Sequence, residues 1–324
     1  MDSLQNPPSS SCPSLTFYSS SSFFFKSQLQ AHFHLLDPLD SSESNHSFLA
    51  RHAPSVLALL CVGSTRVSSE TISLLLSLKL VVASSAGLDH IDLQECRRRG
   101  IAVTAAGQAF SEDVAGFSVG LLIDVLRRVS AGDRYVRSGS WVTKGTYRLG
   151  AKRIGIVGLG RIGSEVAKRL LAFGCSVAYC SRKVKPYVPF AYCSTVNDLA
   201  KNSDALILRC SLTEETHHMI DNGVMEALGK EGVIINIGRG ALIDEKELMK
   251  FLLFGARENR WSGLDVYEGE PFVPQELFAM ENVVLAPHAS VFTPDSSVAL
   301  QELVIGNLRE FFSNEPLLSL TQLE

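Results

Sequence analysis

Short apolar runs alternate with amphipathic helical patterns along most of this 324-residue chain. The apolar runs predict buried strands at 56–62, 80–83, 101–104, 154–157, 176–180, 205–208, 233–236, 261–265 and 283–286. Apolar residues at helical spacing predict helices at 69–76, 91–99, 111–136, 164–171 and 295–312. Because strands that alternate with helices form parallel sheets, the pattern predicts an α/β protein.

A glycine-rich turn between the strand at 154–157 and the helix after it is the most specific motif in the chain. The motif Gly-x-Gly-x-x-Gly is formed by Gly158, Leu159, Gly160, Arg161, Ile162 and Gly163. In a strand–turn–helix context, the first glycine allows a tight turn and the second lets the backbone approach a pyrophosphate. The third allows close packing of helix on strand. We therefore predict a Rossmann-type dinucleotide-binding unit that begins near the middle of the chain.

The end of the next strand indicates which dinucleotide binds. An NAD-binding unit normally carries a carboxylate there, about 20 residues after the first glycine, to bind the ribose hydroxyls. This chain has Ser181, Arg182 and Lys183 at that point. A hydroxyl, a guanidinium and an ammonium group suit a 2′-phosphate, which a carboxylate would repel. The sequence therefore predicts NADP(H) rather than NAD(H), unless the two basic residues only form a solvated loop.

The position of the glycine motif also predicts the domain organisation. An α/β pattern precedes the motif and a helix follows the last strand, so we expect a nucleotide-binding domain inserted into a second, split domain. The predicted bounds are 1–110 for the first part of the split domain, 111–290 for the Rossmann domain, and 291–324 for a C-terminal helix that returns to the split domain. The helices at 111–136 and 295–312 would be the crossings between the domains.

Composition and charge narrow the functional classes. A hydrophobic content of 46% is that of a globular protein, and a net charge of −4 gives no reason to expect nucleic acid or membrane as a partner. Seven scattered cysteines favour reduced thiols over a disulfide framework or a metal site, with Cys175 and Cys180 as small buried residues. The serine-rich segment 1–30 matches a transit peptide only in part, so we expect a cytoplasmic protein, with the plastid as the alternative.

Three segments that follow strands carry candidate catalytic groups. Arg239 lies between two glycines, Glu268 and Glu270 follow the strand at 261–265, and His288 follows the strand at 283–286. Open α/β sheets bind ligands at these carboxyl ends of their strands. An arginine can bind a carboxylate through two parallel hydrogen bonds, and a histidine oriented by a carboxylate can donate a proton. Spacing alone leaves open which glutamate meets His288, and whether these residues are only surface loops.

Together with residues 85–92 (Ser-Ala-Gly-Leu-Asp-His-Ile-Asp), these motifs resemble the D-isomer-specific 2-hydroxyacid dehydrogenase family. Within that family the sequence is similar to plant glyoxylate/hydroxypyruvate reductases and hydroxyphenylpyruvate reductases. The resemblance implies a Rossmann-type doubly wound parallel sheet inserted into a split flavodoxin-like α/β substrate domain. It also implies a homodimer formed through the nucleotide domains, and Arg239, Glu270 and His288 as the catalytic residues.

The resemblance implies binding residues as well. Ile237 and Asp265 would contact the cofactor, Asp265 at its nicotinamide half. The substrate carboxylate would bind to Arg239 and to the amides of a turn formed by Ser85, Ala86 and Gly87. Trp141 would reach toward a substrate site, with an aromatic anchor in the dimer interface as the equally weighted alternative.

The implied reaction is the NADPH-dependent reduction of a small 2-oxo acid, glyoxylate to glycolate or hydroxypyruvate to D-glycerate, with a place in photorespiration. Arg239 would polarise the carbonyl while hydride is transferred and His288 donates a proton, with Glu270 holding the imidazole. Closure of the two domains would exclude water. The alternatives are hydroxyphenylpyruvate as the substrate and, in a different class, an NAD(P)H-binding regulatory protein, because transcriptional corepressors share this fold.

Overall fold

A computed structural model of the chain describes residues 14–18, 25–141, 147–255 and 260–322. The chain splits into two compact units. Met1–Phe110 and Pro294–Glu324 contribute to the first unit, and Ser111–Thr293 form the second. Most of segment 1–30, on which the question of a transit peptide depends, lies outside the described residues.

The first unit contains a five-stranded parallel sheet. Its strands are β1 (Ser14–Tyr18), β2 (His34–Leu36), β3 (Ala58–Cys61), β4 (Leu80–Ala83) and β5 (Ala102–Thr104). The helices between them are α1 (Lys26–Gln30), α2 (Asn45–His52), α3 (Ser69–Leu74) and α4 (Leu93–Arg99). The strand order β2-β1-β3-β4-β5 is the 2-1-3-4-5 order of flavodoxin-like folds. Strands β3 and β4 are buried along their whole length, which explains why they are continuous apolar runs.

The second unit contains a seven-stranded parallel sheet. Its strands are β6 (Arg153–Val157), β7 (Ser176–Cys180), β8 (Ala191–Tyr192), β9 (Ala205–Leu208), β10 (Val233–Asn236), β11 (Trp261–Leu264) and β12 (Val283–Leu285). Its helices are α5 (Ser111–Arg127), α6 (Val129–Arg137), α7 (Arg161–Ala172), α8 (Val196–Lys201), α9 (Asn222–Leu228) and α10 (Glu245–Gly255). The sheet order is β12-β11-β10-β9-β6-β7-β8, which is the Rossmann order 3-2-1-4-5-6 with one strand added, and it reverses between β6 and β9.

The last helix, α11 (Pro294–Ser313), belongs to the first unit, where it packs against β4. The helix begins one residue earlier than the predicted start at 295, because proline fits the first helical position. The segment after α11 also returns to the sheet: the amide of Thr321 donates to the carbonyl oxygen of Val103 in β5 at 2.8 Å. The first unit is therefore completed by the C-terminal part of the chain.

The predicted fold class is confirmed, and every predicted strand occurs with ends within two residues of the prediction. Cys175 and Cys180 are buried as predicted, and the cysteines of the described part are free. Among the helices of the described residues, none combines the length and the apolar character needed to cross a bilayer.

The helix predicted at 111–136 is wrong as one continuous element. The structure ends α5 at Arg127 and begins α6 at Val129, with Arg128 between them in the left-handed conformation at φ 54°. Oδ1 of Asp124 accepts hydrogen bonds from the Ser130 amide at 2.8 Å and from the Ser130 hydroxyl at 3.1 Å. These bonds satisfy donors at the start of α6 and so stabilise the break.

Candidate active site

The turn from β6 into α7 is closely packed on one side and open on the other. Gly158 has φ 98°, and an added Cβ would meet the amide nitrogen of Cys210 at 2.6 Å. A Cβ on Gly163 would collide with the carbonyl oxygen of Gly158, whereas a Cβ on Gly160 would meet nothing within 4 Å. The open space above Gly160 lies at the N-terminus of α7, where a pyrophosphate binds in Rossmann folds. The turn therefore fits a dinucleotide.

The residues between these glycines differ in exposure. Leu159 and Ile162 are buried in the core, and Arg161 is exposed at the first position of α7. The side chains of Leu159 and Ile162 pack into the core beneath the turn. These two residues would therefore contribute to ligand binding only through their backbone amides.

The turn after β7 presents basic groups and no carboxylate. The Ser181 hydroxyl donates to the carbonyl oxygen of Lys183 at 2.8 Å, and the Tyr192 hydroxyl donates to the carbonyl oxygen of Ser181 at 3.4 Å. Arg182 and Lys183 are exposed. A hydrogen bond from Thr213 and, more weakly, the charge of Arg182 lower the pKa of Glu215 on a neighbouring loop. The side chains at 181–183 thus have the composition of a phosphate site.

Arg239 follows β10 on a turn shaped by a buried asparagine. Nδ2 of Asn236 donates to the carbonyl oxygen of Arg239 at 2.8 Å, and its Oδ1 accepts from the Gly238 amide at 3.1 Å. Ile237 is buried, with its amide 3.4 Å from the carbonyl oxygen of Leu208. Asn236 therefore holds the backbone that presents Arg239 at the carboxyl edge of the sheet.

Gly240 brings the turn of Arg239 against the loop that carries the glutamates. A Cβ on Gly240 would overlap the backbone of Tyr267 and the amide nitrogen of Glu268. The two segments therefore touch backbone to backbone, and only glycine allows that contact.

His288 and Glu270 form a hydrogen-bonded pair. Nδ1 of His288 lies 2.7 Å from Oε2 of Glu270, and the Tyr267 amide donates to Oε1 of Glu270 at 2.9 Å. Burial alone would raise the pKa of Glu270. The hydrogen bonds from His288 and Tyr267, together with the charges of His288 and Arg239, outweigh burial and lower the pKa. Because Nδ1 is engaged, Nε2 is the nitrogen that can exchange a proton with a ligand.

Asp265 holds the backbone of the two residues that follow His288. It is fully buried, its Oδ1 accepts from the Ala289 amide at 2.7 Å, and its Oδ2 accepts from the Ser290 amide at 3.1 Å. His288 itself has φ 54°, a conformation that its neighbours must maintain. Asp265 therefore fixes the direction of the imidazole, and its contact with a cofactor stays a prediction.

Glu268, the other glutamate that spacing left open, contacts His218 instead of His288. Oε1 of Glu268 lies 2.6 Å from Nε2 of His218, and the Glu268 amide donates to Oε1 of Glu245 at 2.7 Å. Burial raises the pKa of Glu245, and the nearby charges of Glu268 and Glu270 raise it further. His218 and Glu245 were not among the residues predicted from the sequence, where the adjacent histidines His217 and His218 were the only local signal.

The predicted substrate turn lies in the first unit, directly after β4. The Ser85 hydroxyl donates to the carbonyl oxygen of Gly87 at 2.8 Å, and the Ala106 amide donates to the carbonyl oxygen of Ser85 at 2.9 Å. These bonds hold the turn around Ala86. Trp141 is 87% exposed, directly before a segment outside the described residues. The roles of all four residues stay predictions.

Known proteins are similar to this chain in sequence and in fold. Residues 119–290 match the family described as D-isomer specific 2-hydroxyacid dehydrogenase, NAD binding domain. The chain is 54% identical over 294 residues to the glyoxylate/hydroxypyruvate reductase HPR3 of Arabidopsis thaliana, with 90% of each chain covered. It is 43% identical over 279 residues to a hydroxyphenylpyruvate reductase of Plectranthus scutellarioides, with 85% of this chain and 88% of that protein covered.

A solved structure extends the similarity to the whole described fold. The NADPH-dependent glyoxylate/hydroxypyruvate reductase of Sinorhizobium meliloti, in complex with NADP and malonate, superposes with a TM-score of 0.87 at 29% sequence identity. The superposition covers 97% of this chain and 98% of that one.

Proposed function

The chain belongs to the D-isomer specific 2-hydroxyacid dehydrogenase family, and we propose that it reduces small 2-oxo acids with NADPH. Glyoxylate would become glycolate, and hydroxypyruvate would become D-glycerate. The observation that carries the proposal is the imidazole of His288, held by Glu270 at 2.7 Å beside the ligand-binding edge of a Rossmann-type sheet. The names of the Arabidopsis and Sinorhizobium relatives support the choice of substrate.

The proposed mechanism assigns one task to each side chain. Arg239 binds the carboxylate of the oxo acid and polarises its carbonyl. Bound NADPH supplies the hydride that the carbonyl carbon gains. His288, protonated at Nε2, donates a proton to the carbonyl oxygen, so that a 2-hydroxy acid and a neutral imidazole result. Glu270, hydrogen-bonded to Nδ1, keeps the imidazole oriented for the transfer.

The cofactor would be held by two parts of the second unit. Gly160 and the first turn of α7 would bind the pyrophosphate, and Ser181, Arg182 and Lys183 would bind the 2′-phosphate. The absence of a carboxylate at the end of β7 supports NADPH over NADH. The turn Ser85–Gly87 would contribute amides to the substrate carboxylate.

Initial rates of reduced-nicotinamide oxidation test the proposal. NADPH and NADH are each combined with glyoxylate, hydroxypyruvate, pyruvate and hydroxyphenylpyruvate. We expect the highest kcat/KM with NADPH and with glyoxylate or hydroxypyruvate. A preference for hydroxyphenylpyruvate would move the assignment to the activity that names the Plectranthus relative. Tight cofactor binding without turnover of any of these acids would contradict both assignments and favour a regulatory protein.

The assembly and setting of the enzyme belong to the same proposal. We place a homodimer contact on the second unit, where α5 and the segment before β12 border an open groove of about 690 Å³. Phe117 and Phe278 line this groove, and the side chain of Phe278 is 64% exposed. Large exposed aromatic side chains are typical of contacts between subunits. Photorespiration in a plant cell, with the enzyme in the cytoplasm, would be the setting of the reaction.

A further inference from the structure

Arg209 is a charged residue directly after the buried strand β9, at the carboxyl edge of the seven-stranded sheet. The strand order reverses between β9 and β6, and dinucleotides bind in the crevice at such a reversal. The glycine turn lies against this residue, since a Cβ on Gly158 would meet the carbonyl carbon of Arg209 at 2.8 Å. Arg209 therefore borders the crevice in which the phosphates of a dinucleotide are held.

Within the described residues, the guanidinium of Arg209 has no carboxylate partner. Its Nε is buried and makes no hydrogen bond, and the charged side chain that acts on it is another cation, Arg239. Burial and the charge of Arg239 lower the pKa of Arg209 to about 10, which leaves the group charged at neutral pH. By contrast, Arg153 and Arg169 of the same unit contact Asp204 and Glu165.

A cation in this position is unfavourable in the protein without ligand. Removing a charge from water without pairing it raises the free energy of the folded state, and a second positive charge nearby adds repulsion. An anion bound by both guanidinium groups would pair the charge of Arg209 and offset its repulsion from Arg239. The arrangement of Arg209 and Arg239 is thus that of a site whose counter-charge arrives with a ligand.

We propose that Arg209 is a second anion-binding residue of this site, which binds an anionic oxygen group of a ligand together with Arg239. The inference rests on the proposed function, which supplies two such groups: the pyrophosphate of the cofactor and the carboxylate of the oxo acid. A guanidinium binds phosphate and carboxylate oxygens by the same paired hydrogen bonds. Separate binding measurements with the cofactors and with a dicarboxylate distinguish the pyrophosphate from the carboxylate.

The test compares Arg209→Met, which keeps an unbranched apolar stem and removes the charge, with Arg209→Lys, which keeps the charge and removes the planar fork. Lys201→Met is the matched control, because it removes one positive charge from the exposed end of α8 in the same unit. Dissociation constants are measured for NADPH and NADH by fluorescence titration, and for oxalate by calorimetry with NADP present. None of these measurements depends on turnover.

Arg209→Met is expected to weaken at least one of these ligands about tenfold or more, the typical effect of losing a charge-assisted hydrogen bond. An equal loss of affinity for NADPH and NADH would show that Arg209 binds the pyrophosphate, which both cofactors share. A loss of affinity for oxalate with unchanged affinity for the cofactors would show that Arg209 binds the carboxylate of the oxo acid. Arg209→Lys should lie between wild type and Arg209→Met. Unchanged affinity for all three ligands overturns the proposal.

The melting temperature of the ligand-free protein provides an independent readout. Arg209→Met should raise it or leave it unchanged, because the substitution removes an unpaired, partly buried charge. A lower melting temperature with unchanged affinities would show that Arg209 only packs, and would contradict the proposal. Failure of the proposed function would appear differently, as absent turnover in the wild-type protein while these binding constants keep their pattern.

Discussion

At the scale of single residues, the proposed chemistry depends on the two nitrogens of His288 having different tasks. Nδ1 is bonded to Glu270, and Nε2 is the proposed proton donor. His288→Ala should lower kcat by about 10²–10⁴, the usual contribution of a general acid, and leave the Kd of NADPH within about twofold. Initial rates and fluorescence titration measure the two effects. Unchanged turnover would refute the assignment of His288.

Glu270→Gln separates the orienting role of Glu270 from its charge. The amide keeps the shape and an acceptor oxygen for Nδ1 of His288 but carries no charge and cannot titrate. We therefore expect a lower kcat, and a pH–rate profile without the decrease in acid that protonation of Glu270 causes. Because the pKa of Glu270 is lowered, wild-type Glu270 stays ionised down to pH values below the ordinary range of a glutamate. The pair is therefore lost only in acid, and any stability it adds falls as pH decreases through that lowered pKa.

The control for Glu270→Gln is Glu268→Gln, two residues earlier in the same loop. Glu268 contacts His218, so its neutralisation should leave the acid limb of the pH–rate profile where it is. A shift of the same size in both variants would mean that the loop as a whole, and not the Glu270 carboxylate, sets the profile.

Arg239 and His288 could be predicted as candidates because each follows the end of an apolar strand by three residues. The choice between Glu268 and Glu270 could not be made from spacing. It depends on the path of a loop that Glu245 and His218 hold through contacts distant in sequence. Arg209 was overlooked because a lone charged residue at a strand end has no distinctive pattern, and its unpaired state exists only in three dimensions.

At the scale of elements, the contact between the turn at Gly240 and the loop at Tyr267 couples two segments of the site. Gly240→Ala must force these backbones apart, so we expect a loss of about 3 kcal/mol in the free energy of unfolding and a large fall in kcat/KM. Urea denaturation and initial rates measure the effects. In the control Gly116→Ala on α5, the new Cβ meets nothing within 4 Å, and stability should be unchanged or slightly raised. Equal behaviour of both variants would contradict the coupling.

The turn after β7 should control cofactor choice. Replacing Arg182 and Lys183 together by alanine removes both positive charges near the proposed 2′-phosphate site. We expect KM for NADPH to rise about tenfold or more, while KM for NADH stays within about twofold. Steady-state kinetics with each cofactor measure the split. An equal rise for both cofactors would place these residues outside a 2′-phosphate site.

The strands were more predictable than the helices. A buried parallel strand is a continuous apolar run, whereas β2 and β8 are too short to show a pattern. The break at Arg128 could not be predicted, because the apolar periodicity continues across it and the hydrogen bonds that Asp124 accepts from Ser130 act locally.

At the scale of the whole molecule, the groove beside α5 tests the proposed homodimer. Phe278→Glu places a charge on a side chain that the dimer would bury, so the variant should be monomeric in light scattering coupled to size-exclusion chromatography. Leu318→Glu is the control, since Leu318 is 53% exposed but belongs to the first unit. A wild-type monomer, or an unchanged dimer in Phe278→Glu, would contradict this placement.

The split of the first unit has a consequence for how the protein is made. Its sheet uses strands from the first third of the chain, yet α11 and the segment that bonds to Val103 are synthesised only after the whole second unit. On the ribosome, the contiguous second unit can therefore fold while the first still lacks a helix. Until α11 has been synthesised, the face of β4 that it covers lacks its native neighbour, so we expect the nascent chain to be most exposed to chaperones and proteases during that interval.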